Sequence, residues 1–275
     1  MYPRSCLKPL QAHAMIGIGL VLTDAQLAVA CASHDGSPMH LDAVRSILAR
    51  YGLDESDLAN TPARPRDASA RAEARSSGIE PSPLQQNCSG KHAAMLAACR
   101  VNGWPTDGYL DRDHPVQAAI TAGIRSLGAV VEHIGVDGCG APTHAFSLRE
   151  LAAAFAMVAG PDSVVARAMI SHPELVGGPA RDVTLWMQTL PTLVAKEGAA
   201  GVMAAAFADG RAVAYKVADG SDAARQAIVP AALEAVGVDV AATAPTTLER
   251  VAVPVLGHGE PVGHLEAVEW MPCSS

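Results

Sequence analysis

Aromatic side chains and charged side chains are both scarce in this sequence. Phe, Trp and Tyr supply 4% of the residues and charged residues 17%, whereas hydrophobic residues supply 49%. Disordered chains have the opposite balance, so the composition predicts a folded protein whose core consists mainly of Ala, Val, Leu and Ile. The 275 residues can bury a sizeable core, and we expect a single domain over residues 1–275.

The sequence also lacks a basic run and a long apolar run. Its densest basic stretch, residues 64–75, is interrupted by Asp67 and Glu73, and the formal net charge is -8. Such a chain is a poor candidate for binding phosphate backbones, so we expect no nucleic-acid partner. No apolar run reaches the ~18 residues of a membrane span, and no secretory signal begins the chain. We therefore expect no membrane partner and a cytoplasmic location.

The six cysteines are scattered and include no Cys-x-x-Cys pair. In a reducing compartment such cysteines are free thiols or metal ligands. One constellation combines Cys88, Lys91 and His92 with Asp137 and Cys139. Two thiolates plus one or two further donors can form a tetrahedral zinc site. The alternative is that these are buried cysteines with a purely structural role.

Apolar periodicity predicts helices in the middle of the chain and strands towards both ends. The predicted helices cover residues 8–20, 41–51, part of 60–83, 90–101, 115–127, 148–158, 163–171 and 221–236. The predicted strands cover residues 25–32, 130–136, 202–207, 212–217, 251–255 and 262–268. This pattern predicts an α+β fold in which one antiparallel sheet is built from both chain ends around a helical middle region.

Ser5 and Lys8 are three residues apart, a spacing that puts both side chains on one face of a helix. A serine hydroxyl is a weak nucleophile until a base removes its proton, and a lysine with a lowered pKa can be that base. Ser-x-x-Lys is the spacing that serine β-lactamases use. Taken alone the motif also arises by chance, as a helix-capping serine with a solvated lysine.

Longer blocks around this pair resemble a known family. The segment RSCLKPLQA at residues 4–12 resembles the signature R-S-x-x-K-P-x-Q-A of the asparaginase II family, the rhizobial-type asparaginases. Four further blocks match in order, namely CASHDGSPMH at 31–40, PSPLQQNCSGKHAAML at 81–96, DGCGAPTH at 137–144 and KVADG at 216–220. The resemblance therefore covers most of the chain.

The resemblance implies a serine β-lactamase/glutaminase-like fold, a homodimer, and two Ser-Lys tandems in one site. The first tandem falls on Ser5 and Lys8, and the second on Ser33 and Lys216. Without the resemblance, Ser33 would be interpreted as a turn residue and Lys216 as a strand lysine with a solvated amine. Two neighbouring lysines disfavour each other's charge, which helps to keep one of them neutral.

The resemblance also implies a zinc site formed by Cys88, Lys91 and Cys139. Lys91 must be neutral to bind a metal, so the metal itself would depress the pKa of Lys91. In this interpretation Lys91, His92 and Asp137 contact the substrate, and the zinc modulates substrate binding.

Two features depart from the family pattern. Family members carry a segment before the R-S-x-x-K signature that supplies the first strands, whereas only four residues precede Ser5 here. We therefore expect an N-terminally short domain, either because the start was assigned too late or because the protein is truncated. No K-T-G triad occurs near the C-terminus, so hydrolysis of β-lactam antibiotics is not expected.

These observations together predict an L-asparaginase, which hydrolyses L-asparagine to L-aspartate and ammonia. Ser5 would attack the amide carbon and form an acyl-enzyme, while Lys8, assisted by Ser33 and Lys216, takes the proton. The expected partner is thus a small-molecule amide. A glutaminase, a broader Ser-Lys amidase, and an inactive truncated homologue acting as a binding protein remain as alternatives.

Overall fold

The computed structural model describes residues 1–268, which contain helices throughout and strands only from His133 onwards. The α-helices are α1 (Lys8–Gly17), α2 (Asp24–Ala30), α3 (Pro38–Arg50), α4 (Ala68–Ser76), α5 (Ser89–Asn102), α6 (Pro115–Ser126), α7 (Leu148–Val158), α8 (Val164–Ser171), α9 (Pro173–Val176), α10 (Asp182–Thr189), α11 (Asp222–Glu234), α12 (Val240–Thr243) and α13 (Pro245–Val251). The strands are β1 (His133–Val136), β2 (Pro142–Ala145), β3 (Val194–Gly198), β4 (Val202–Ala206), β5 (Ala212–Lys216), β6 (Val253–Gly257) and β7 (Glu260–Leu265).

Short antiparallel sheets join strands that are neighbours in the chain. β3, β4 and β5 form a three-stranded meander with β4 in the centre, while β1 pairs with β2 and β6 pairs with β7. The mixture of helices and antiparallel sheets confirms the α+β class. The prediction of one sheet built from both chain ends was wrong for the described residues, because the three-stranded sheet comes from residues 194–216 alone.

The predicted strand at residues 25–32 is helix α2 in the structure. Thr23 and Gln26 form a capping box, in which each side chain accepts a hydrogen bond from the other residue's backbone N–H. The apolar run that follows contains only one β-branched residue, Val29, and its alanines favour helix over strand. The other helices predicted between residues 8 and 236 are confirmed, with ends shifted by a few residues.

Two pairs of helices, α1 with α6 and α2 with α5, pack at short range because glycines lie at their contact points. A Cβ atom on Gly123 of α6 would lie 2.3 Å from the Cβ of Ala14 in α1. A Cβ atom on Gly90 of α5 would lie 2.1 Å from the carbonyl oxygen of Val29 in α2. Both contacts require glycine, and they let α6 approach α1 and α5 approach α2 closely.

The chain start packs against the three-stranded sheet through a 3-10 turn, Arg4–Leu7, that runs directly into α1. The Cys6 thiol donates a hydrogen bond of 3.0 Å to the carbonyl of Lys196 in β3. Gly198 at the end of β3 lies so close that a Cβ there would be 2.4 Å from the Pro3 carbonyl. These contacts set Ser5 beside β3.

Among residues 1–268, no helix combines the length and the apolar character that crossing a membrane requires.

Candidate active site

Ser5 lies in the 3-10 turn before α1, beside a cavity of about 260 Å³. Arg4 immediately before it has φ 54°, a left-handed conformation that is strained for a residue other than glycine. The Arg4 guanidinium donates a hydrogen bond of 2.6 Å to Asp137, and this ion pair holds the strained residue. The cavity wall also includes Ser33, so both predicted serines face one space.

Lys8 is the first residue of α1 and is only 2% exposed. Its Nζ donates hydrogen bonds to the Ala32 carbonyl and, at 3.2 Å, to the Ser33 hydroxyl. A buried ammonium is tolerated only with such partners. The lysine of the first predicted tandem therefore contacts the serine of the second.

The second lysine beside Ser33 is Lys196 of β3, which the sequence analysis did not select. Its Nζ is fully buried and donates hydrogen bonds of 2.9 Å to the Ser33 hydroxyl and 2.9 Å to the Glu197 carbonyl. Ser33 thus lies between two lysine amines.

The predicted pairing of Ser33 with Lys216 is not found, and it needs correction. Lys216 lies on β5, the edge strand opposite β3, and its Nζ donates a hydrogen bond to the Val217 carbonyl. Val202 of β4 pairs with Gly198 on one side and with Lys216 on the other, so a whole strand separates Lys216 from β3. The turn that carries Ser5 packs mainly against β3, through the hydrogen bond from Cys6 to Lys196, and also against β2 and β4.

The sequence analysis did not predict strand β3, because the charged residues Lys196 and Glu197 interrupt its apolar pattern. The signal that was present is a Lys-Glu pair enclosed by apolar and small residues, LVAKEGAAG at residues 193–201. Buried charges occur in pairs, so such a pair within an apolar run indicates a buried ion pair.

Burial and neighbouring charges shift the pKa of Lys196. Lys196 Nζ lies 3.0 Å from a carboxylate oxygen of Glu197. Burial lowers the pKa of Lys196 to about 8, the charge of Glu197 partly opposes this, and the charge of Lys8 adds to it. Burial would raise the pKa of Glu197, but the charges of Lys196 and Arg181 outweigh it and bring that pKa to about 2.

A second group of ion pairs surrounds Arg225, which contacts Met203 of β4. The guanidinium of Arg225, which is 1% exposed, makes two hydrogen bonds of 2.7 and 3.2 Å to Asp182 and one of 2.7 Å to Asp222. Because Asp182 begins α10 and Asp222 begins α11, Arg225 ties both helix starts together.

The predicted metal ligands converge at the start of α5. Lys91 Nζ lies 3.1 Å from the Cys139 sulfur, and the thiols of Cys88 and Cys139 hydrogen-bond to each other. The hydrogen bond from Cys139 lowers the pKa of Cys88, and the lysine charges of Lys8 and Lys91 act in the same direction. The shared proton in turn raises the pKa of Cys139.

His92 and Asp137 lie beside this cluster with other partners. His92 Nδ1 is 2.9 Å from the Tyr109 hydroxyl, and Asp137 accepts the hydrogen bonds of Arg4 and of the Gly138 amide. Within residues 1–268, no group of three or more His, Cys, Asp or Glu side chains could hold a metal ion. The candidate donors are therefore two thiols and one amine.

The cavity has four charged residues that the sequence analysis did not select. They are Arg66, Arg181, Glu197 and Asp222. They come from four separate segments, so no local motif could have joined them.

The chain matches the family described as L-asparaginase II over residues 1–267. No curated protein matches the chain closely enough to show a relationship. The family match covers nearly the whole sequence and includes each of the segments that line the site. It supports an asparaginase-type amidohydrolase that acts on a small-molecule amide. The chain belongs to the L-asparaginase II family.

Proposed function

We propose that this protein is an L-asparaginase that uses Ser5 as the nucleophile. The observation that carries the proposal is the position of the Ser33 hydroxyl, 3.2 Å from Lys8 Nζ and 2.9 Å from Lys196 Nζ, on the wall of the cavity that Ser5 also lines. Family membership supplies the reaction class, and this arrangement supplies a hydroxyl and a base.

The proposed proton path runs from Ser5 through Ser33 to Lys196. Lys8 Nζ donates a hydrogen bond to Ser33 Oγ, which directs the Ser33 proton towards a neutral Lys196. Ser5 Oγ attacks the amide carbon and passes its proton to Ser33, while Ser33 passes its own to Lys196. The protonated Lys196 then returns a proton to the leaving ammonia. Water hydrolyses the acyl-enzyme ester by the same path in reverse, which releases aspartate and restores Ser5.

The supporting electrostatics concern Lys196 in particular. With a pKa of about 8, roughly a tenth of Lys196 amines are neutral at pH 7, far more than for a solvated lysine. Lys8 then acts as the fixed hydrogen-bond donor that orients Ser33, which differs from the base role expected of it from the sequence.

Ammonia release from L-asparagine tests the proposal. We expect Ser5→Ala to abolish turnover and Lys196→Met to reduce kcat by roughly 10²- to 10⁴-fold, as for loss of a general base. Lys216→Met is the matched control, because β4 separates Lys216 from β3, and it should retain near-normal turnover. Equal rates for wild type and Ser5→Ala would refute the assignment of Ser5. If Lys216→Met were inactive and Lys196→Met active, the pairing of Ser33 with Lys216 predicted from the sequence would be favoured instead.

Comparison of amide substrates separates an asparaginase from the alternative activities. Glutamine is longer than asparagine by one methylene, which is worth only ~1–3 kcal/mol in a pocket. We expect a higher kcat/KM for asparagine, and a preference for glutamine would favour the glutaminase. Binding of asparagine without turnover would favour a non-catalytic binding protein.

We also propose that Cys88, Lys91 and Cys139 bind zinc. The donor set fits, because two buried thiols and an amine meet and thiolate and nitrogen donors suit zinc. When bound, the ion would supply a fixed positive charge beside the site. Burial opposes the charge of Lys91, but the cysteines raise its pKa, so zinc would have to displace the Lys91 proton.

A further inference from the structure

We propose that Arg66 binds the α-carboxylate of the substrate, so that the cavity selects amides of α-amino acids over simple amides. This inference rests on the proposed amidohydrolase function and adds the residue that recognises the substrate's charged end. It follows from the charge pattern of the cavity, from the anchoring of Arg66, and from the partners of the other cavity arginine.

The cavity wall includes the buried residues Ser33 and Glu197, and its side towards solvent has the exposed charged residues Arg66 and Asp222. Ser33, at the buried end, is 2% exposed, whereas Arg66 and Asp222 are both exposed residues. A substrate whose amide reaches the serines would therefore hold its other end between charged side chains. The free amino acid asparagine has this form, since an ammonium and a carboxylate occupy the carbon remote from the amide.

Arg66 is exposed, yet the backbone on both sides of it is fixed to the segment that follows Ser33. The Asp67 amide donates a hydrogen bond of 2.8 Å to the Asp35 carbonyl. Pro65 is buried against Gly36, where a Cβ would be only 3.0 Å from the Pro65 Cα. The backbone that carries Arg66 is thus fixed beside the cavity, so binding a ligand at Arg66 does not have to order this segment.

The two cavity arginines differ in their ion pairs. Arg181 lies 3.5 Å from a carboxylate oxygen of Glu197 and already has an internal partner. Within the described part of the chain, Arg66 has no carboxylate within 4.0 Å. An arginine presents parallel N–H donors that match the two oxygens of a carboxylate. Arg66 is therefore the cavity arginine that is free to bind the carboxylate of a substrate.

The same cavity offers negative charge for the ammonium group. Glu197 and Asp222 both line it, and Asp222 is exposed despite its hydrogen bond to Arg225. Arg66 and these carboxylates together complement a zwitterion, whereas a simple amide would leave Arg66 without a carboxylate partner.

Three related amides test which end of the substrate Arg66 recognises. L-asparagine has both charged groups, succinamate lacks the ammonium, and 3-aminopropanamide lacks the carboxylate. We expect Arg66→Gln to lower kcat/KM for L-asparagine and succinamate by about 10- to 100-fold, mainly through KM, because charge-assisted hydrogen bonds are lost. The value for 3-aminopropanamide should not change. Arg75→Gln is the matched control, since Arg75 is an exposed arginine of α4 outside the cavity.

Calorimetric binding of L-aspartate, the expected product, gives a readout that needs no turnover. We expect Arg66→Gln, but not Arg75→Gln, to weaken its binding by about 10-fold or more. Equal binding by the two variants would overturn the role of Arg66, as would an equal loss on 3-aminopropanamide and L-asparagine. Arg66-dependent binding of L-aspartate without hydrolysis of any of the amides would refute the proposed function and leave the carboxylate subsite standing.

Discussion

Lys196 combines two properties that a general base needs near neutral pH. Its amine is excluded from solvent, which lowers its pKa, and it contacts a hydroxyl directly. Glu197 limits the effect, since a buried lysine without a carboxylate would lose its proton still more readily. Burial and the charge of Glu197 together therefore keep the pKa of Lys196 close to the pH range in which it can both accept and return a proton.

We expect kcat/KM to rise with pH and to level off above about pH 8, because Lys196 must be neutral to accept a proton and its pKa is about 8. Lys196→Arg should be inactive across this range, since a guanidinium keeps its proton. The measurement is a pH profile of ammonia release. A Lys196→Arg variant that keeps the wild-type profile would show that another group titrates.

Glu197 should make stability depend on pH in acid. Its folded-state pKa of about 2 lies below the ordinary value of 4.5, so its contribution is present above pH 4.5 and is lost as pH falls towards 2. Between pH 6 and pH 3 this loss amounts to about 2 kcal/mol of unfolding free energy. Urea unfolding of wild type and Glu197→Gln measures it, because the other carboxylates are common to both. Parallel pH dependences in the two proteins would contradict the assignment.

At the scale of elements, the site depends on how closely helix α1 approaches its neighbours. The start of α1 bears Lys8, and the turn before it bears Ser5. Gly123 of α6 lets the two helices meet at Ala14, while Gly198 lets β3 meet the turn at Pro3. Small residues thus bring the serine turn, α1 and β3 within reach of one another.

The Gly123 contact predicts a stability difference. Gly123→Ala should lower the free energy of unfolding by about 1–3 kcal/mol, because its Cβ would overlap the Ala14 side chain. Gly17→Ala is the control, since Gly17 is also a helical glycine, the last residue of α1, and its Cβ would meet nothing within 4 Å. That change should leave stability equal or raise it by up to about 1 kcal/mol. Urea unfolding measures both, and equal effects would contradict the close approach.

At the scale of the whole molecule, the cysteine cluster connects segments that are distant in sequence. Cys88 and Lys91 lie at the start of α5, whereas Cys139 lies in the turn between β1 and β2. A metal shared by these residues would cross-link the helical part to the β1–β2 hairpin. Such a link stabilises the folded state, since the unfolded chain does not present the same site.

Zinc should therefore raise the thermal unfolding temperature of metal-free protein by several degrees at saturating concentration. Cys139→Ser should abolish the shift and the bound metal measured by elemental analysis. Cys99→Ser serves as the control, because Cys99 is a buried free cysteine of α5, the helix that also bears Lys91. A zinc shift that survives Cys139→Ser would refute the proposed ligands.

The homodimer that the family resemblance implies stays a prediction, which sedimentation velocity would test.

The sequence determined the α+β class, most helices and the family, and it singled out Ser5, Lys8 and Ser33 as candidate site residues. These features depend on local signals, such as helical periodicity, the 3-residue spacing and contiguous motif blocks. The tertiary structure decided the rest. It replaced Lys216 with Lys196, because strand order determines which lysine meets Ser33, and it brought Arg66 to the same cavity. Contacts between distant segments leave no local pattern, so only the folded chain could reveal them.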